Sequence, residues 1–387
     1  RSVAVTILLA LLSTVCSLLQ FPLTPTPTPT RTPRQESAPA TSSFSADPLT
    51  SPPQRTMTPT PRPDTERPDS QTPTRNPTST PTPLRPLVVD VDFSQDVGPY
   101  DKSRILNGAV GGYAPLGNFN WLADGLDEMA AIDMEMIRMD HLLDETYYRV
   151  VWRYEGELRF DFSRLNRAIV PILQAGMKPL MCLSYKPTAL EPTGTDKYPP
   201  ADMSEWIEVV ETYVEHFKGM GYTGLYWEVW NEPDLSFFFQ GTSEQYVNLY
   251  VATARAIKRV DPTARVGGTA DSSVTSPGSK LGPLLSYVRE HPEVPLDFVS
   301  YHDYSDPDGD GRAPFSLDWN TGAIETLLEA NNLALREILV TEWNLTPSLD
   351  TCPGWAADTN LGASAAAVKL YNLFKHPGLS RIFFFSP

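Results

Sequence analysis

From residue 87 onward, short apolar runs alternate with stretches that repeat every three to four residues. The runs read as strands over Ile105–Val110, Met136–Asp140, Pro179–Leu183, Leu225–Trp230, Arg265–Gly268, Leu296–Tyr301, Ile338–Thr341 and Arg381–Phe385. Several are continuously apolar, as strands covered on both faces must be. Between them the period is helical. Trp206, Val210, Tyr213 and Phe217 fall on one face, as do Tyr246, Val247, Tyr250, Val251 and Ala254, with Thr242 and Gln245 spaced as a capping box. Strands alternating with helices predict a parallel sheet, and eight of them predict a closed (β/α)8 barrel. A doubly wound open sheet is the second choice, but no glycine-rich phosphate fingerprint follows an early strand. The sequence stops just after the eighth strand, so the barrel is expected to lack its last helix. Leu87–Val91 reads as an additional strand before the barrel.

Ahead of this region the pattern is different. Residues 22–86 hold 18 of the 38 prolines, interleaved with Thr and Ser. With few apolar residues to bury, this tract cannot offset the entropy of folding, and it reads as a disordered, extended spacer. Residues 1–21 are dominated by the apolar run Val3–Leu19 behind Arg1, an export signal or an uncleaved membrane anchor. Cys16 raises a lipoprotein reading, which Ser13-Thr14-Val15 fits poorly. The expected organisation is therefore a leader over 1–21, a spacer over 22–86 and a catalytic domain over 87–387, on a protein secreted or tethered at the cell surface.

Net charge is −16 overall, yet residues 1–86 carry eight Arg against five Asp and Glu, so the folded part stands at −19. Such a surface repels nucleic acid and anionic membranes, leaving an N-terminal anchor as the sole membrane contact. Three cysteines, Cys16, Cys182 and Cys352, are too few for a disulfide framework and lack metal-ligand spacing. Cys182, inside an apolar run, is expected as a buried thiol.

Two carboxylates stand out by position. Glu232 closes Trp230-Asn231-Glu232-Pro233 after the fourth strand, and Glu342 closes Thr341-Glu342-Trp343-Asn344 after the seventh. Barrel enzymes build their sites at these strand tips. Two carboxyls flanking one bond supply what glycosidic cleavage needs, an acid for the leaving oxygen and an ionised group for the anomeric carbon. A separation of about 5–5.5 Å is the retaining geometry. Strand alternation turns Glu228 to the side of Glu232, deeper in the barrel, where pairing with a buried basic group is expected.

These segments resemble the acid/base and nucleophile motifs of clan A glycoside hydrolases, and more narrowly those of family 39, the β-xylosidase and α-L-iduronidase family. Asp297–Tyr304 is similar to that family's sixth-strand segment, Ile137-Arg138 with Leu142-Leu143-Asp144 to its second, and Val88–Asp92 with Gly98-Pro99 to its opening. The similarity runs over nearly all of the folded part. It implies a retaining O-glycosyl hydrolase with Glu232 as acid/base and Glu342 as nucleophile. It further implies Asn231 on the substrate 2-hydroxyl, Arg138 beneath the nucleophile, and His302 and Tyr304 against the sugar or the nucleophile. Trp343 is open to two roles, a platform for the sugar or core packing. Asp140 stands where the family pattern has His, with His141 next to it. Either Asp140 brings an anion to the sugar pocket, disfavouring iduronate, or His141 takes the histidine's role.

The expected partner is an oligo- or polysaccharide, and the chemistry calls for no cofactor and no metal. Asp306-Pro307-Asp308-Gly309-Asp310-Gly311 matches half of a calcium loop, but the twelfth position is Leu317 rather than Glu, so an acidic turn is expected instead. An exo-acting β-xylosidase is the leading expectation. Another clan A activity (endo-glycanase, arabinosidase or iduronidase-like) and an inactive carbohydrate-binding protein on the same barrel are the alternatives.

Overall fold

The computed structural model describes residues 94, 101–111, 125–190, 195–304, 315–333, 336–345 and 360–385. The chain divides into two compact units, residues 1–22 with 99–387 and residues 23–98; of the second, only Ser94 belongs to the described residues. The expected leader, spacer and Leu87–Val91 strand, the Asp306–Gly311 loop, Cys16 and Cys352 lie outside them. Among the described residues no helix is long and apolar enough to cross a membrane.

The described part is a closed barrel of eight parallel strands. In chain order the elements are β1 (Asn107–Val110), α1 (Leu126–Ala131), β2 (Met136–Met139), β3 (Val151–Tyr154), β4 (Glu157–Phe160), α2 (Ser163–Gln174), β5 (Lys178–Leu183), α3 (Met203–Gly219), β6 (Tyr226–Val229), α4 (Ser243–Val260), β7 (Arg265–Asp271), α5 (Leu281–Glu290), β8 (Phe298–Tyr304), α6 (Ser316–Ala330), β9 (Glu337–Asn344), α7 (Asn360–Leu373) and β10 (Leu379–Phe385). All eight predicted strands are present, and β1 closes the barrel on β10 with Gly108 opposite Phe384. Strands β3 and β4 form an antiparallel hairpin of their own, inserted between β2 and α2. Among the described residues no helix follows β10.

Local chemistry accounts for the helices that frame the barrel. Asp202 caps α3 by accepting from the backbone of Ser204 and Glu205. Thr242 and Gln245 make the predicted capping box on α4. Each satisfies amides that the first helical turn leaves unpaired. Trp206, Val210, Tyr213 and Phe217 of α3 are fully buried against the sheet.

Inside the barrel, alternation stacks the side chains in layers. Ala109, Met136, Leu180, Phe298, Leu339 and Phe383, with Tyr226 and Phe385, form a dry floor. Strand β7 contributes Gly267 beside it, where a Cβ would lie 2.2 Å from the Phe298 carbonyl oxygen, so no larger residue fits. Two residues further along several strands the interior turns polar: Arg138 above Met136, Cys182 above Leu180, Glu228 above Tyr226 and Ser300 above Phe298, with His302 two residues beyond Ser300. On β9 a bulge intervenes. Tyr301 pairs with Val340 but His302 pairs with Glu342, so Thr341 is the extra residue and Glu342 shares the face of His302.

Candidate active site

The site sits on that polar layer at the C-terminal ends of the strands. One ligand atom from each of Glu232, His302 and Glu342 lies within 4.8 Å of the others. Glu232 is tied to β7 by its backbone N–H, which donates to the Ala270 carbonyl at 3.1 Å. Trp230 (φ 73°), Glu232 (φ 45°) and Ala270 (φ 55°) all have left-handed backbone conformations. Non-glycine residues held there cost on the order of 1–3 kcal/mol each, and such strain concentrates at functional sites. Here it breaks the alternation after Glu228. The Trp230 indole goes into packing against Trp206 and Phe239, and Glu232 is freed to face Glu342.

Arg138 is the hub below. Its guanidinium is fully buried and donates Nε to Glu228 at 2.6 Å, Nη1 to Glu342 at 2.6 Å and Nη2 to Asn231 Oδ1 at 2.7 Å, with Cys182 Sγ at 3.4 Å. Burial opposes its charge, but the surrounding anions, Glu228 first, hold its proton more tightly than water does. The predicted buried partner of Glu228 is thus Arg138, and Cys182 is the expected buried free thiol. Asn231 is 3% exposed and donates Nδ2 to the Tyr185 hydroxyl at 3.0 Å.

Glu342 accepts from Tyr304 Oη at 2.7 Å on the oxygen that Arg138 leaves free. Burial pushes its carboxyl up. His302 and Arg138 pull against that and Glu232 and Asp140 add to it, so the net direction is upward. His302 has Nδ1 2.8 Å from Glu232 Oε1 and 3.5 Å from Glu342 Oε2. Burial lowers the imidazole's proton affinity, yet Glu342 and Glu232 outweigh it and the pKa is raised. A group that touches both carboxylates couples their protonation.

Asp140 and His141, read as alternatives from the sequence, form one unit. Asp140 continues the inward alternation of Met136 and Arg138 and accepts from Ser184 Oγ and from the His141 backbone N–H. His141, with φ 58°, turns back so that Nε2 lies 3.5 Å from Asp140 and Nδ1 3.3 Å from Asp144. Burial disfavours the Asp140 anion, but His141 and Arg138 with two hydrogen bonds outweigh it, and the pKa falls to about 2. The His141 ring is half-buried, which opposes its charge, but Asp140 and Asp144 outweigh that and raise its pKa.

Trp343 corrects one expectation. Its cross-strand neighbours are Asp303 and Phe384, and it shares their face, away from His302 and Tyr304. It is 3% exposed and packs edge-on against Phe384 at 5.3 Å. The bulge that aims Glu342 inward sends the next residue outward, so Trp343 is core packing and not a sugar platform.

Several partners were not anticipated. Tyr185 and Ser184 follow β5 directly, so the rule that picked out Glu232 and Glu342, polar residues just past a strand tip, would have found them. The ion pair between Lys369 of α7 and Asp303 had no sequence signal. Lys369 Nζ is buried and donates to Asp303 Oδ2 at 2.6 Å, to the Asp303 carbonyl and to the Asn344 carbonyl, tying together the ends of β8 and β9.

A closed parallel barrel carrying a glutamate at the tip of its fourth strand, another at its seventh and an arginine beneath them defines the clan A type of glycoside hydrolase architecture. The comparisons narrow this. The chain belongs to family 39 of the glycosyl hydrolases, whose family model matches residues 120–349. A beta-xylosidase of Caldicellulosiruptor saccharolyticus is 31% identical over 245 residues, covering 56% of this chain and 47% of the relative. A beta-xylosidase of Geobacillus stearothermophilus is 32% identical over 182 residues, covering 42% and 34%. The chain therefore matches between a third and a half of the length of these curated relatives. Among solved structures, the family 39 enzyme from Xanthomonas axonopodis pv. citri aligns with a TM-score of 0.63 at 22% identity, over 74% of this chain and 59% of that one, a likeness of fold.

Proposed function

We propose that this protein is a retaining glycoside hydrolase that cleaves by double displacement, with Glu342 as nucleophile and Glu232 as acid/base. The observation that carries the reading is the convergence of the two carboxylates, each with an oxygen within 4.8 Å of the other's. That spacing suits direct attack on an anomeric carbon. An inverting pair stands about 6.5–9.5 Å apart to admit a water. In the first step Glu342 Oε attacks the anomeric carbon as Glu232 gives its proton to the departing oxygen. Arg138 and Tyr304 hold the attacking carboxylate ionised and oriented until its charge passes into the new ester bond. In the second step Glu232, now a carboxylate, takes a proton from water, which attacks the same carbon and releases Glu342. His302, in contact with both, relays the change in charge between them.

Two curated relatives are each named beta-xylosidase, which supports a β-linked pentose as the substrate sugar and an exo mode. The buried, anionic Asp140, close enough to act on Arg138 and Glu342, supports a neutral sugar over a uronate. The apolar run Val3–Leu19 and the spacer behind it support a place outside the cell, secreted or tethered, where polymeric sugars are met.

The test is stereochemical. NMR of the first product from an aryl β-xyloside is expected to show the β anomer before mutarotation. Glu342→Gly is expected to be inactive alone and to yield the α-glycosyl azide with added azide, whereas Glu232→Ala yields the β azide. An inverted first product, or azide products of the opposite configurations, would overturn the assignment.

A further inference from the structure

The turn after Glu232 carries a feature that the proposed chemistry does not use. Phe237 is 75% exposed, the most exposed of the large apolar side chains among the described residues, and Leu235 beside it is 38% exposed. Single exposed apolar residues are ordinary on a surface, but this one stands on a rigid mount beside the reacting groups. Leu235 N–H donates to the Glu232 carbonyl at 3.1 Å, and the Phe238 and Phe239 amides both donate to the Leu235 carbonyl at 2.9 Å. Trp230 Nε1 donates to the Phe238 carbonyl at 3.0 Å, and Gln240 N–H fastens the far end to the Lys197 carbonyl at 2.9 Å. Phe239 is the anchor, 3% exposed against Trp230 and Tyr246.

From this mount an aromatic row leads back to the catalytic pair. Phe237 meets Phe238 edge-on at 4.9 Å, and Phe238 stacks on Tyr185 at 6.1 Å with the rings 7° from parallel. Tyr185 accepts from Asn231, the neighbour of Glu232. The row thus begins at the partner of Asn231, the chain neighbour of the group proposed to protonate the leaving oxygen, and ends at the exposed Phe237. Whatever departs with that oxygen occupies this side of the site. A sugar ring presents an apolar C–H face, and an exposed phenyl ring is the surface such a face covers favourably.

We infer that Phe237 and Phe238 form the leaving-group subsite, taking the C–H face of the sugar ring that departs from Glu232. The inference rests on the glycosidase reading and names the residues that select its aglycone. It makes Phe237 a specificity residue for the first step alone, since the leaving group is gone before water enters.

The experiment compares the 4-nitrophenyl glycoside and the disaccharide of one sugar with its glycosyl fluoride, whose leaving group has no ring. Phe237→Ala is expected to raise KM for the two ring-bearing substrates about tenfold, roughly 1.4 kcal/mol. Its effect on the fluoride is expected to stay under about twofold, and Phe237→Trp is expected to restore the ring-bearing substrates. Since the side chain is exposed, truncation leaves the core intact. If wild type turns over all three and Phe237→Ala shifts them equally, or shifts none, the subsite is refuted and the glycosidase reading stands. If wild type is inert on all three while correctly folded, the glycosidase reading fails and the subsite with it.

Discussion

The hydrogen bond from Tyr304 to Glu342 offers a measurement of how the proposed nucleophile is kept ionised. Tyr304→Phe removes one hydroxyl and leaves the ring, which sits edge-on to Phe385 at 6.5 Å, in its place. The lost bond is 2.7 Å long and points at a carboxylate. Hydrogen bonds to charged groups contribute about 1.5–3 kcal/mol. Because Tyr304 donates to the ionised form of Glu342, its loss disfavours that form and the Glu342 pKa rises. At 1.36 kcal/mol per unit the rise is about 1–2 units, nearer the lower figure where water enters the gap and restores part of the bond. The acidic limb of kcat/KM against pH reports ionisation in the free enzyme. It is therefore expected to move to higher pH by about 1–2 units, with the melting temperature nearly unchanged. An acidic limb that stays in place, or moves to lower pH, would show that Tyr304 does not hold the nucleophile's charge.

Two further outcomes concern buried groups outside the reacting pair. Asp271 is fully buried, and burial together with the nearby Asp234 anion pushes its carboxyl up to about 7, although Ser279 and the amides of Lys280 and Leu281 bond to it. A carboxyl raised on folding binds its proton more tightly in the native state, so its contribution falls as pH rises from about 4 to about 7; Asp271→Asn is expected to be more stable relative to wild type at pH 8 than at pH 5 by urea unfolding, and a pH-independent difference would contradict the assignment. Lys369→Met leaves Asp303 buried without its cation and is expected to cost about 3–5 kcal/mol. Adding Asp303→Asn is expected to recover more than about 1 kcal/mol, since Ser316 and Asn320 still bond to that side chain; a double variant that is merely additive would deny the pair its coupling.

The eight barrel strands were legible because several are covered on both faces and read as apolar runs, and all alternate with helical periods. The C-terminal ends of β1, β5 and β10 fell where expected, but β8 runs on to Tyr304 and β9 to Asn344, past the predicted Tyr301 and Thr341. Apart from Trp343 these extra residues are polar, and they stay in the sheet because the barrel mouth gives them partners, Glu342 for Tyr304 and the Phe385 carbonyl for Asn344. The β3–β4 hairpin escaped notice because its exposed strands offer little apolar alternation; Val151 and Leu158 are its buried positions. The pairing of Glu228 with a buried base was legible from period-two alternation alone. The role of Trp343 was not, because it depends on the bulge at Thr341, and no pattern of residue types announces where a strand gains a residue.

The electrostatics of the site then follow from counting what the layers bring together. Arg138 is shared between Glu228 and Glu342, while Glu232 and Asp140 bring two further carboxylates and the raised imidazoles His302 and His141 stand beside them. Above a dry apolar floor these charges are poorly screened. Burial, with Glu232 and Asp140 adding to it, keeps the Glu342 pKa raised, and the neighbouring carboxylates raise both imidazoles against their own burial. The field of the Asp140 and Glu342 carboxylates opposes an anionic substrate group. It favours the positive charge that builds on the anomeric carbon as the glycosidic bond breaks, because dipoles and charges fixed before the reaction need no reorganisation during it. Arg138, donating Nη1 to Glu342, favours ionisation of the carboxylate proposed to attack.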